Sequence, residues 1–121
     1  MSALFPAFEG HQFLRLTTFR KSGVGVPTPV WFAAVDGGLG VFTSADSGKV
    51  KRIRRETHVR IAPCSFRGRP KGPEQEAAAR LVTAEAAERI HAALAAKYGW
   101  MFRMAVRRRP GHAYLEIVPV D

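Results

Sequence analysis

From Phe13 to Phe19, apolar and polar positions follow a two-residue beat. Phe13, Arg15, Thr17 and Phe19 share one face; Leu14, Leu16 and Thr18 share the other. That period, with β-favouring residues, predicts a strand. Lys21-Ser-Gly-Val-Gly25 reads as a turn. Pro27 to Val35 predicts a second strand. Pro27 and Pro29 cannot donate ladder hydrogen bonds, so this end belongs on an edge. Asp36-Gly-Gly38 predicts a tight hairpin into a third strand, Leu39 to Thr43. Asp46 is the expected cap of a short helix running to about Arg55.

Val59 to Ser65 predicts a fourth strand, and Glu76 to Val82 a fifth, with a basic loop from Arg67 to Pro73 between them. Thr83 then caps the clearest helix, Ala84 to Tyr98, whose apolar stripe is Ala87, Ile90, Leu94 and Tyr98. Gly99 ends that helix or bends it into a second short one through Trp100, Met101 and Met104. Arg107-Arg-Arg-Pro-Gly111 breaks the pattern, and Tyr114 to Val118 alternates again as a closing strand. Six hairpin-linked strands with one substantial late helix predict a mainly β fold, an antiparallel barrel rather than a parallel βαβ sheet.

Length bounds this picture. At 121 residues the chain is read as one domain, 1–121, large enough to bury a core without staples. Charge adds more: 19 basic residues against 10 acidic ones give +9, which draws anions. The single cysteine, Cys64, excludes an intrachain disulfide and a cysteine-based zinc cluster, and suits a reducing cytoplasm. The N-terminus has no basic leader pattern, and no stretch approaches the roughly 18 apolar residues of a membrane span. The basic residues lack the interleaved aromatics of a single-strand binder, which argues against nucleic acid.

The charge concentrates after the third strand. The run Leu39 to Thr43 empties into a small polar turn, and Lys49, Lys51, Arg52, Arg54 and Arg55 crowd the helix that follows. Backbone N–H groups, hydroxyls and lysines at a helix start make a phosphate site. The chain has no nucleophile elbow, no Walker or Rossmann glycine loop and no His-Glu-x-x-His. His58 and His91 have no partners at metal-ligand spacing. No catalytic side chain is identified.

The ordered words Leu16-Thr-Thr-Phe-Arg-Lys-Ser-Gly23, Pro27-Thr-Pro-Val-Trp-Phe32, Phe42-Thr-Ser-Ala-Asp-Ser-Gly-Lys-Val-Lys-Arg-Ile53, Val59-Arg-Ile-Ala-Pro-Cys64, Gly68-Arg-Pro70 and Lys97-Tyr-Gly99 span nearly the whole chain. This set resembles the split β-barrel flavin-binding family related to pyridoxamine 5′-phosphate oxidase, in its deazaflavin (F-420) branch. The resemblance implies a six-stranded split barrel, a homodimer with its cofactor groove at the interface, and oxidoreductase activity on a small molecule. It implies F-420 as cofactor, with flavin mononucleotide as the alternative, or a protein that binds either without catalysis. The ring is expected along Thr28, Pro29, Val30, Trp31 and Phe32; the phosphate is expected at Thr43, Ser44, Ser47, Lys49 and Lys51. Many relatives carry a long basic residue one or two places before the lysine matching Lys49. Here those positions are Ser47 and Gly48, and Lys51, Arg52 or Arg54 is left to compensate.

Overall fold

Every neighbouring strand pair is antiparallel, and the order β1-β2-β3-β6-β5-β4 closes on itself as a six-stranded barrel. The structure is a computed structural model and describes residues 5–108 and 111–120. The strands are β1 (Phe13–Phe19), β2 (Gly25–Val35), β3 (Gly38–Ser44), β4 (His58–Cys64), β5 (Gln75–Leu81) and β6 (His112–Pro119). The helices are α1 (Gly48–Arg55), α2 (Ala84–Tyr98) and α3 (Trp100–Arg108). Gly99, at φ 63°, separates the last two, so the late helical region is two helices.

The two-residue beat decides what fills the barrel. Leu14 and Leu16 of β1, Val30 and Phe32 of β2, Val41, Val59, Ile61, Leu115 and Ile117 point inward and are buried. Each such side chain contributes about 1.5–3 kcal/mol on burial. Phe5 and Phe8, just before and at the end of a single 3-10 turn (Pro6–Phe8), join this core, with Phe8 set edge-on against Phe32 at 5.9 Å. A second core lies outside the barrel. There Ile90, Leu94 and Tyr98 of α2 and Phe102 of α3 cover Ala33, Trp31 and Phe42. Gly40 admits α2: a Cβ there would sit 2.7 Å from Ile90.

One ladder is incomplete. β2 pairs β3 only from Phe32↔Val41 to Val35↔Gly38. Beyond Phe32, β2 pairs β1 alone, from Trp31 back to Gly25. Phe42, Thr43 and Ser44 of β3 pair β6 alone. The two strands therefore part like a fork, with its apex at Phe32. The prolines of β2 lie on the diverging arm, as their missing N–H groups require.

α1 caps differently from expectation. Ser47, not Asp46, is its N-cap, and the Ser47 hydroxyl accepts the Val50 N–H at 3.4 Å. The chain's turn after β3 places Ser47 in extended geometry one residue before the helix, and Asp46 stays exposed.

Candidate functional site

The fork opens into a groove of about 520 Å³. One arm of β2 supplies Pro29, Val30 and Trp31; the diverging arm of β3 supplies Phe42, Thr43 and Ser44. α1 adds Lys49, and α3 adds Trp100, Met101, Met104 and Ala105. Most of this wall is apolar. Thr43, Ser44 and Lys49 bring hydroxyls and a cation together at the end of β3 and the first turn of α1. No acidic residue occurs in that first turn, so the positive pole of α1 and Lys49 add rather than cancel.

Of the ten positions expected from sequence, the groove gathers Pro29, Val30, Trp31, Thr43, Ser44 and Lys49. Four do not line it. Phe32 is buried inside the barrel. Thr28 shares that inward face, and its Oγ1 is buried without a hydrogen-bond partner. The Ser47 hydroxyl is engaged in capping α1. Lys51 is exposed on α1. Strand alternation turns Thr28 and Phe32 into the barrel; Val30 shares their face but still borders the groove.

The arginines of α1 have structural work. Arg52 Nε donates to the buried Thr18 Oγ1 at 2.6 Å, and Arg55 donates to the Phe19 carbonyl at 2.7 Å. Both pin α1 to β1. The Arg52 guanidinium lies over Gly48: a Cβ there would be 2.8 Å from its Nη1. A long side chain at position 48 would need that space. Arg54 stays exposed. Arg103 is exposed on α3; the side chains of Arg107 and Arg108, and all of Arg109, lie outside the described residues.

Sequence reasoning missed the clamp at the apex. The Tyr98 hydroxyl accepts the Phe32 N–H at 3.0 Å. Its proton lies within reach of two carbonyls, Gln12 at 2.6 Å and Phe32 at 2.9 Å. Lys97 Nζ also donates to the Phe32 carbonyl, at 2.8 Å, and sits 3.4 Å from the Phe32 ring centre. The Tyr98 ring stacks on Trp31 at 4.6 Å, behind the groove wall. Phe32's backbone groups therefore turn to Tyr98 beside the start of β1. By alternation, those of Val30 turn to β1 and those of Trp31 turn toward β3. Of the three residues, only Trp31 directs its backbone groups to the side on which the groove lies.

Tyr98→Phe keeps the stacked ring and removes the hydroxyl. It leaves the Phe32 N–H without its partner and should cost about 1–3 kcal/mol of stability, measured by urea unfolding. Burial pushes Lys97 down from 10.5 to about 8, against the pull of the carbonyl and the ring. Between those values the unfolded chain holds more protons, so this group's contribution to stability rises with pH. Subtracting the Lys97→Met stability curve from that of the native protein should give a difference that climbs from about pH 8 to 10.5. Tyr98 acts with opposite sign: burial lifts it from 10.0 to about 12, so its contribution falls across that window.

The histidines have local partners. His58 meets Glu76, and His91 Nδ1 lies 2.8 Å from the Tyr114 hydroxyl. Among the described residues no cluster of three metal-ligating groups occurs. Cys64 is buried, and burial raises its thiol pKa.

Solved structures share this architecture. A heme storage protein from Vibrio cholerae, HutZ, superposes with a TM-score of 0.76 at 15% identity, over 99% of this chain and 92% of that one. A conserved hypothetical protein from Mycobacterium tuberculosis gives 0.72 at 20%, over 100% and 82%. An FAD-binding protein from Mesorhizobium loti gives 0.64 at 13%, over 96% and 84%. At these identities the likeness is one of fold. No curated protein matches the chain. The sequence does match the model for pyridoxamine 5′-phosphate oxidase over residues 2–121, and the chain therefore belongs to that split-barrel family.

Proposed function

We propose that the groove holds coenzyme F-420 and that the protein is a cytoplasmic F-420-dependent oxidoreductase acting on a small molecule. The observation carrying this reading is the shape of the fork. One groove offers a broad apolar wall and, at its β3 end, two hydroxyls, a lysine and a helix N-terminus. That pairing suits a flat heterocycle with a phosphate attached by a short chain. When bound, a reduced deazaflavin supplies the hydride. The protein's part is to orient and to exclude water. Trp31, backed by Tyr98, fixes the wall on one side; Trp100, Met101 and Met104 close over the other. Lys49, Thr43 and Ser44 anchor the phosphate.

F-420 is favoured over flavin mononucleotide by its longer polyanionic tail. Lys51 and Arg54 are exposed on α1 beyond Lys49, and the ion pairs of the described residues do not engage them. Flavin mononucleotide is the second reading, supported by the same groove and by an FAD-binding structure of the same fold. The groove wall has no histidine or cysteine among the described residues, which disfavours heme. Purified protein should be titrated with F-420, flavin mononucleotide and hemin, following fluorescence and absorbance. Tight flavin binding with no response to F-420 would overturn the first choice; tight hemin binding alone would overturn both. Cofactor binding without turnover of any acceptor would make the protein a carrier.

The homodimer belongs to the same proposal. Trp100 is 73% exposed at the groove rim, with Met101 and Met104 beside it. A second copy would cover them, so light scattering at micromolar concentration should give twice the chain mass.

A further inference from the structure

A second hollow, of about 240 Å³, lies beside the groove. Phe13 forms part of its wall, and Phe13 pairs with Trp31 across the β1–β2 ladder. Trp31 is a wall of the groove, so neighbouring strand positions line the two cavities. The hollow's far side is the loop between β4 and β5. That loop is firmly built: Ser65 N–H donates to the Arg69 carbonyl at 2.9 Å, Gly68 N–H to the Ser65 carbonyl at 2.8 Å, and Lys71 N–H to the Pro63 carbonyl at 2.7 Å. Cys64 and Pro70 form an isolated bridge. A Cβ on Gly68 would be 3.6 Å from Pro29, so the loop also abuts the groove's own wall.

Its contents are unusual for a surface dimple. Phe66 stays 66% exposed, its ring 6.5 Å from that of Phe13 and tilted by 53°. The two rings touch at a tilt, and the Arg67 guanidinium lies 5.5 Å from the centre of the Phe66 ring, so Phe66 forms an exposed apolar lip of the hollow. Lys71 and His11 also line the hollow. Among the described residues, ion pairs engage His58, Arg60, Arg80 and Arg89, but neither Lys71 nor Arg15. Both cations lie close enough to Cys64 to oppose the rise that burial imposes on its thiol. The Cys64 thiol therefore lines the site as a neutral, apolar group. Aromatic surface left in water beside uncompensated positive charge is a recognition surface for an anion with an apolar body.

We propose that this hollow binds a small aromatic or conjugated carboxylate, with its planar body against the exposed Phe66 ring and its carboxylate at Lys71. Given the oxidoreductase reading, its position across Phe13 from Trp31 makes it the seat for the anionic end of the acceptor.

The probe is trans-cinnamate, with cinnamamide as its uncharged match, titrated by calorimetry into cofactor-free protein. The answer then holds whichever cofactor the groove takes. Cinnamate should bind at least about tenfold tighter than cinnamamide, the effect of roughly one charge-assisted contact. Lys71→Gln should abolish that preference and Lys71→Arg should retain it. Phe66→Ala should weaken both ligands. Protein loaded with its cofactor should still bind cinnamate. Equal binding of the two probes, no binding of either, an unchanged preference in Lys71→Gln, or displacement of the cofactor by cinnamate would overturn the proposal. Failure of both F-420 and flavin mononucleotide to bind, with cinnamate binding intact, would remove the acceptor role and leave the carboxylate site.

Discussion

Lys49→Ala is expected to weaken cofactor binding by about ten- to a hundredfold while the protein stays folded. A charge-assisted hydrogen bond is worth about 1.5–3 kcal/mol, which is that range of affinity. Lys49 is the second residue of α1, at the positive pole of the helix, where an anion is favourable. Lys51→Ala is the control: exposed and outside the groove wall, it should change affinity only a few-fold, in line with the ~0–1 kcal/mol of surface charges. A Lys49→Ala protein with native affinity would remove this residue from the phosphate role. A protein that lost affinity and stability together would show that Lys49 has a structural task instead.

Gly38→Ala carries the largest expected cost in stability. A Cβ at this position would lie 1.9 Å from the Ile117 carbonyl oxygen and 3.0 Å from its carbon. The obstruction is backbone, so no rotamer change relieves it. β3 would have to move from β6 or break the Leu39↔Ile117 pairing next door. Overpacking of this kind costs about 1–3 kcal/mol and at times more; the upper end is expected here, on the order of 10 °C in Tm. Thermal unfolding followed by circular dichroism measures it directly. A loss below about 0.5 kcal/mol, within the scatter of ordinary surface changes, would mean that the strand pair yields easily.

Much of the barrel was legible because its information is local. Alternation at Phe13–Phe19 separates Leu14 and Leu16 from Arg15 and Phe19, and the fold uses that division. The stripe Ile90, Leu94, Tyr98 faces the sheet as its spacing requires. Boundaries moved by one or two residues, as helix and strand ends do. Three features were not legible, and each depends on partners far along the chain. Tyr98 meets Phe32 across 66 positions, and no spacing rule announces it. Arg52 meets Thr18 across 34 positions, which turns an apparent spare cation into a pin for α1. Where β2 leaves β3 depends on competition between two ladders, whereas pattern describes each strand singly. The ten expected positions accordingly come together at the groove only in part: Phe32 and Thr28 turn inward by the same beat that turns Trp31 out.

The diverging arm of β2 has one further consequence. An unpaired strand edge is a template on which another chain can add a strand. On this arm, alternation turns the backbone of positions 27, 29 and 31 to the unpaired side, and positions 27 and 29 are prolines. Neither has an N–H to offer an intruding strand. The open cleft is thereby kept from becoming a seed for amyloid-like stacking. Restoring the missing donors, as in a Pro27→Val, Pro29→Val double variant, would leave the groove's outline largely in place while giving its edge the means to recruit strands.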